Sequence, residues 1–189
     1  RVSRAWLGWF RAWATPHVLT RRKLIAPKLL DFEKDGHLIV TDTAQAQVEQ
    51  FADICDRVRD AGVLPSQNAI GLDPHGVAAL SDELTARDYE NGEQVVGVSQ
   101  GWKLNGAVKG LERRLLDGRF KHADQPLMNW CVSNAKSEER GNNVYITKQA
   151  AGEYKIDPVI AMFNAAQLMD MNPQAANQAI SIPSDYRVG

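Results

Sequence analysis

The chain has 189 residues, with 22 Lys and Arg against 23 Asp and Glu, so its formal net charge is −1. This length predicts one domain, or one domain with a tail, and the charge excludes a global positive field that would attract nucleic acid. Hydrophobic residues make up 44% of the chain, which is too apolar for a disordered protein, and no apolar run reaches the ~18 residues that span a bilayer.

Strand-like and helix-like segments alternate through the first half of the chain. A tryptophan-rich segment at its start favours a strand, and Pro16 opens a basic helix. Thr43 is a typical N-cap for a helix with one apolar stripe, which Gly62 ends. The pattern predicts strands over 4–15, 38–40 and 69–73, and helices over 17–26, 27–35 and 43–61.

The second half continues the alternation and ends in a polar segment. The pattern predicts helices over 76–87, 104–116, 126–134 and 158–171, strands over 95–98 and 144–147, and a tail from Pro173. Strands that alternate with helices indicate an α/β fold with a central, partly parallel sheet. Cys55 and Cys131 form no CxxC pair and are expected to be buried thiols, and no glycine-rich nucleotide-binding loop is present.

Two aspartates stand where α/β proteins commonly place chemistry. Asp73 follows an apolar strand and precedes Pro74, so its side chain is expected at the carboxyl end of the sheet. Asp157 precedes Pro158 at the start of the last helix. Each has a structural alternative as the N-cap of the helix that follows, and a cap can also bind a cation through its second oxygen.

Basic residues cluster in the second half, in a pattern that has two interpretations. A solvated helix face explains such runs, and a stripe that neutralises DNA phosphates is the sharper alternative. Trp102 is expected either to pack in the core or at its rim, or to stack on a base. The candidate phosphate contacts are Lys103, Lys109, Arg113, Arg114 and Lys155.

Several motifs in a fixed order resemble the nuclease domain of large terminase subunits from tailed phages and prophages. They are AIGLDP (69–74), VSQGW (98–102), LERRL with DG (111–118) and KIDP (155–158), and the segments 21–36 and 125–135 are also similar. The resemblance covers about residues 4–172. It implies an RNase H-like α/β domain over 1–172, with a mixed central sheet flanked by helices on both faces, and a C-terminal tail over 173–189.

The resemblance also implies an activity. It points to a metal-dependent endonuclease that cuts concatemeric viral DNA during packaging, with acidic residues that bind two Mg²⁺ or Mn²⁺ ions. Asp73 and Asp157 fall on two of these metal-binding catalytic acids, and His75 is a weaker candidate for contact with DNA or metal. The implied partners are double-stranded DNA, an ATPase motor domain, a small terminase subunit and a portal, in the cytoplasm of a bacterial host and with no membrane.

One part of the family pattern is absent from the sequence. The family's first acid lies on an opening strand, whereas residues 1–4 contain no carboxylate, so this chain is expected to lack one ligand and to be weakened or inactive as a nuclease. Two alternatives therefore stay open. One is a non-catalytic RNase H-like module that docks on DNA or a portal, and the other is a different RNase H-like nuclease such as a resolvase.

Overall fold

A computed structural model describes residues 5–149, 154–171 and 173–175. Its strands are β1 (Trp6–Gly8), β2 (Trp13–Ala14), β3 (Ile39–Val40), β4 (Ile70–Leu72), β5 (Val95–Gly97), β6 (Phe120–His122), β7 (Ala135–Arg140) and β8 (Asn143–Lys148). Its helices are α1 (Pro16–Arg21), α2 (Ala26–Lys34), α3 (Ala44–Asp60), α4 (Ala78–Ala86), α5 (Asn105–Leu116), α6 (Pro126–Ser133) and α7 (Asp157–Asp170), with a 3₁₀ turn at Gly101–Leu104.

Within the described residues the strands form four two-stranded ladders. β1 pairs with β6, β2 with β3 and β4 with β5, all in parallel, and β7 pairs antiparallel with β8. The prediction of mixed strands and helices, partly parallel, is confirmed. The strands join in pairs here, and the described residues do not form one continuous sheet.

The tryptophan-rich segment differs from its prediction as a single strand. It divides into β1 and β2, which pair with strands far away in the chain. Gln125 holds the turn between them, because its side-chain oxygen accepts from the Phe10 N–H at 2.8 Å and its side-chain nitrogen donates to the Phe10 carbonyl at 2.6 Å. The Gln125 side chain thus forms hydrogen bonds with both backbone polar groups of Phe10, a residue that lies in neither strand.

Helix boundaries follow local signals that the sequence carries. Thr43 is the N-cap of α3, and its hydroxyl accepts from the Ala46 N–H at 3.1 Å. The first predicted basic helix ends earlier than expected, at Arg21, because Pro27 lies in the first turn of α2 and begins that helix. β6 and β7 were not predicted, since β6 is Phe-Lys-His and β7 carries mostly charged residues.

Two hydrophobic clusters form the core. The larger one joins α2, α5, α6 and α7, with Leu111, Cys131 and Phe163 among its buried members. The smaller one lies between α3, α4, β4 and β5 and includes Leu84 and Tyr89. Both cysteines are buried and free, as predicted.

Charged groups join α3 to α4 at the edge of the smaller cluster. Arg87 lies just after α4, and its Nη1 lies 2.6 Å from Asp53 and 2.7 Å from Asp56, while its Nε lies 2.8 Å from Glu83. Asp56 also accepts from the Tyr89 hydroxyl at 3.0 Å. The Arg87 guanidinium therefore forms ion pairs with three carboxylates, two on α3 and one on α4.

The C-terminal tail lies almost entirely outside the described residues, as do residues 1–4, where the family's first acid was sought. Of the tail's first residues, Ala175 forms an antiparallel bridge with Pro65. No helix in the described ranges is long and apolar enough to cross a membrane.

Candidate functional site

A cleft lies where β4, the 3₁₀ turn, β8 and α7 meet. Its volume is about 590 Å³. Asp73 and Asp157 both line it. The aspartates that the sequence singled out, one from the middle of the chain and one near its end, therefore face the same space.

Asp73 follows β4 directly, so the carboxyl end of a strand places it at the cleft, as expected. Its Oδ1 accepts from the His75 N–H at 3.0 Å, which makes a local turn. The helix that follows has its N-cap at Val77, without a side-chain cap. Asp73 is therefore not the helix cap that the structural alternative required, and His75 itself is exposed and does not line the cleft.

Asp157 is the first residue of α7, and the N-cap position belongs to Ile156. No side-chain hydrogen bond caps this helix. The Asp157 side chain is 72% exposed, and its Oδ2 lies 3.8 Å from the Lys155 ammonium. The positive end of the α7 dipole favours a carboxylate at this position, while the oxygens stay accessible for a ligand.

A hydrogen-bonded pair of amide side chains lines the cleft. The Gln100 side-chain nitrogen donates to Asn164 Oδ1 at 3.0 Å and to the Val98 carbonyl at 2.8 Å. Asn164 is only 6% exposed and lies on α7, two turns after Asp157. The pair therefore connects the chain that leaves β5 to the helix that carries Asp157.

The carboxylates of Asp73 and Asp157 suit a hard cation, but two carboxylates are few for a metal site. In the part of the chain that the structure describes, no three His, Cys, Asp or Glu side chains converge to hold a metal. Mg²⁺ is commonly bound through one or two carboxylates together with waters and substrate phosphates. Asp73 and Asp157 fit a site of this kind, and they fall short of a fully protein-built two-ion site.

The basic candidates are distributed over several surfaces. Lys103, Lys109 and Arg113 are exposed on the 3₁₀ turn and α5. The Lys103 ammonium lies 5.9 Å from the ring centre of Trp102, which is itself 55% exposed. Trp102 is therefore not a core residue, and the alternative in which it contacts a base stays a prediction.

Besides Lys109, whose ammonium donates to the Asn142 carbonyl at 3.2 Å, two of the basic candidates have partners within the protein. Arg114 lies 3.6 Å from the centre of the Trp6 ring and 3.6 Å from Asp170, so it links β1 to the end of α7. Lys155 lines a smaller cavity beside Trp130 and Cys131, which Asp157 also lines. A phosphate contact by either residue stays a prediction.

Sequence reasoning missed three polar residues that line the cleft, namely Gln100, Lys148 and Asn164. Lys148 follows Val144 and Ile146 at alternate positions of β8, and all three line the cleft. This period of two was visible in the sequence and was the signal that could have found Lys148. Asn164 had a weaker signal, its helical spacing from Asp157.

Comparisons with known proteins show which family the sequence resembles. The model of the family "Terminase large subunit, endonuclease domain" matches residues 33–172. The chain is similar to Protein YmfN of Escherichia coli (strain K12), with 27% identity over 132 residues that cover 69% of this chain and 28% of that protein. It is also similar to the terminase large subunit of Lactococcus phage SK1, with 23% identity over 141 residues that cover 73% of this chain and 25% of the relative.

A solved structure shows the same fold. The crystal structure of the HK97 bacteriophage large terminase matches with a TM-score of 0.62 at 22% identity, over 82% of this chain and 32% of that chain. The expected RNase H-like α/β class is thereby confirmed. The chain spans between a quarter and a third of the length of these relatives. Because the family model covers most of the sequence, the chain belongs to the family of terminase large subunit endonuclease domains.

Proposed function

We propose that this domain is a metal-dependent endodeoxyribonuclease that cuts concatemeric viral DNA during genome packaging. The observation that carries the proposal is that Asp73 and Asp157, from separate parts of the chain, line one cleft at the carboxyl end of β4. Two carboxylates that face the same space repel each other, and a divalent cation relieves this repulsion. The family indicates that the domain is a nuclease, and the cleft is the proposed place of its activity.

Each aspartate has a defined part in the proposed site. Asp157 offers oxygens that make no helix-capping bond, and Asp73 retains Oδ2 when Oδ1 accepts the His75 N–H. Together they would hold Mg²⁺ or Mn²⁺, which supplies Lewis-acid chemistry for phosphodiester hydrolysis when bound. Exposed Lys103, Lys109 and Arg113 would bring the negatively charged backbone of DNA towards the cleft.

The wider role of the protein belongs to the same proposal. The matched relatives are several times longer than this chain. Double-stranded DNA would be the substrate, and the partners would be an ATPase motor domain, a small terminase subunit and a portal in a bacterial host. A role in docking on DNA without cutting it is the competing outcome of the experiment below.

Titration calorimetry with Mn²⁺ tests the site. We expect the double variant Asp73→Asn, Asp157→Asn to lose Mn²⁺ binding, while Asp82→Asn, on the exposed face of α4, binds as the wild type does. Unchanged binding in the double variant would show that the cleft is not the metal site. Nicking of supercoiled plasmid with Mn²⁺ tests the activity, and DNA binding without any cleavage, even by a longer chain that contains the family's first acid, would favour the docking role.

A further inference from the structure

The cleft is lined by a lysine, Lys148, that has no part in the nuclease chemistry proposed above. Lys148 is the last residue of β8, is exposed and lines the same cleft as Asp73 and Asp157. Within the described ranges its ammonium forms no ion pair. A lysine that lines the same cleft as two carboxylates and has no ion-pair partner among the described residues is available to a ligand.

Neighbouring cations of the same hairpin behave differently. Lys136 lies 3.5 Å from Glu138, and Arg140 lies 2.9 Å from the same residue. The ladder pairs Lys136 with Thr147 and Glu138 with Tyr145, so these residues share the hairpin face opposite to Lys148. The hairpin therefore pairs its cations on one face and presents an unpaired lysine on the cleft face.

The two faces also differ in what surrounds them. On the cleft face Lys148 follows the apolar side chains of Val144 and Ile146. Lys148 is exposed, so its ammonium stays hydrated while its stem adjoins this apolar row. A ligand that enters the cleft meets the ammonium and the two aspartates together.

Charge balance indicates what kind of ligand this is. Asp73 and Asp157 carry two negative charges, which one divalent cation neutralises, and Lys155 lies 3.8 Å from Asp157. With such a cation bound, Lys148 and Lys155 both remain as positive charges, and of the two Lys148 lines the cleft and has no ion-pair partner within the described residues. A ligand that neutralises the charge of Lys148 is an anion that binds together with the metal. In DNA that anion is a backbone phosphate.

We propose that Lys148 binds a backbone phosphate of DNA at the candidate metal site and so positions the strand in the cleft. This inference rests on the proposed function. Lysine serves as a point charge for phosphate, without base selectivity, so the contact would act on all sequences equally.

Lys148→Gln tests the inference, with Lys136→Gln on the opposite face of the hairpin as its matched control. Binding to a short fluorescein-labelled duplex is measured by anisotropy between about 50 and 200 mM KCl, in Ca²⁺ and without cleavage. We expect Lys148→Gln to bind about tenfold more weakly, with a salt slope smaller by about one, and Lys148→Arg to retain most of the affinity. Lys136→Gln is expected to match the wild type.

Mn²⁺ affinity separates a phosphate contact from a structural role. Removing a positive charge near two carboxylates leaves Mn²⁺ binding equal or tighter, so Lys148→Gln is expected to move DNA affinity down without lowering metal affinity. Three results would each overturn the inference. They are loss of both DNA and Mn²⁺ affinity in Lys148→Gln, a salt slope of that variant equal to that of Lys136→Gln, and no DNA binding by the wild type. Failure of the proposed function is seen separately, as wild-type protein whose Mn²⁺ binding does not depend on Asp73 and Asp157.

Discussion

Arg87 offers a direct test of how the smaller core cluster is held. The substitution Arg87→Met keeps a long apolar stem and removes the guanidinium that contacts carboxylates on α3 and α4. Asp56 and Glu83 have side chains that are only 25% and 20% exposed, so water compensates poorly for the lost partner. Asp53 is 60% exposed and its pairing contributes little.

The expected magnitude follows from these exposures. Hydrogen bonds to charged groups contribute about 1.5–3 kcal/mol each, and the remaining solvent access lowers this range. Asp56 also keeps its bonds from Tyr89 and Arg59. We therefore expect Arg87→Met to lower the free energy of unfolding by about 2 kcal/mol, which moves the urea midpoint by about 1 M for a slope of about 2 kcal/mol/M.

The effect has a defined pH dependence. Burial alone raises the pKa of Asp56, but hydrogen bonds from Arg87 and Tyr89 and the charge of Arg59 outweigh it, and the pKa lies below its usual value. A carboxyl with a lowered pKa stabilises the fold above its unfolded pKa of about 3.9 and loses this contribution as the pH falls through its folded pKa. The difference between wild type and variant is therefore full at neutral pH and shrinks below about pH 4.

Urea unfolding followed by circular dichroism at neutral and acid pH measures both effects. Arg57→Met is the control, because Arg57 is exposed on α3, the helix that carries Asp53 and Asp56. Equal midpoints for wild type and Arg87→Met at pH 7 would refute the argument. So would a difference that persists undiminished in acid.

Three further predictions concern separate parts of the fold. Gly71→Ala would place a Cβ at 2.8 Å from the Val98 side chain, so we expect a loss of about 1–3 kcal/mol in urea unfolding, and unchanged stability would contradict this packing. Thr43→Ala removes the α3 cap and is expected to cost about 1 kcal/mol, whereas Thr43→Ser should retain most of the stability. Burial, with a smaller contribution from a neighbouring aspartate, raises the pKa of the Cys55 thiol to about 11 and that of the Cys131 thiol to about 12. Both thiols should therefore resist Ellman's reagent at pH 8 until urea is added. Rapid reaction in the native state would contradict their burial.

Elements with strong local signals were predicted well from the sequence. The apolar stripe and the Thr43 cap fixed α3, and Asp-Pro marked the start of α7. Asp73 was expected at a strand end because an apolar run leads to it, and β4 ends directly before it. In each case the deciding chemistry lies within a few neighbouring residues.

Features that depend on distant partners were not predictable in this way. β7 is mostly charged and is a strand because β8 pairs with it along its whole length. The parallel pairing of β1 with β6 joins segments more than a hundred residues apart, and no local pattern encodes it. The Gln100–Asn164 bond is of the same kind, since either residue alone looks like an ordinary surface amide.

The order of the two aspartates along the chain has a consequence for synthesis on the ribosome. Asp73 emerges early with β4, whereas Asp157 emerges with α7, which packs against α5, α6 and β4. A nascent chain that has not yet released α7 holds half of the site and a cleft without one wall. The domain can therefore acquire its candidate cutting centre only after α7 has been synthesised and has packed against α5, α6 and β4.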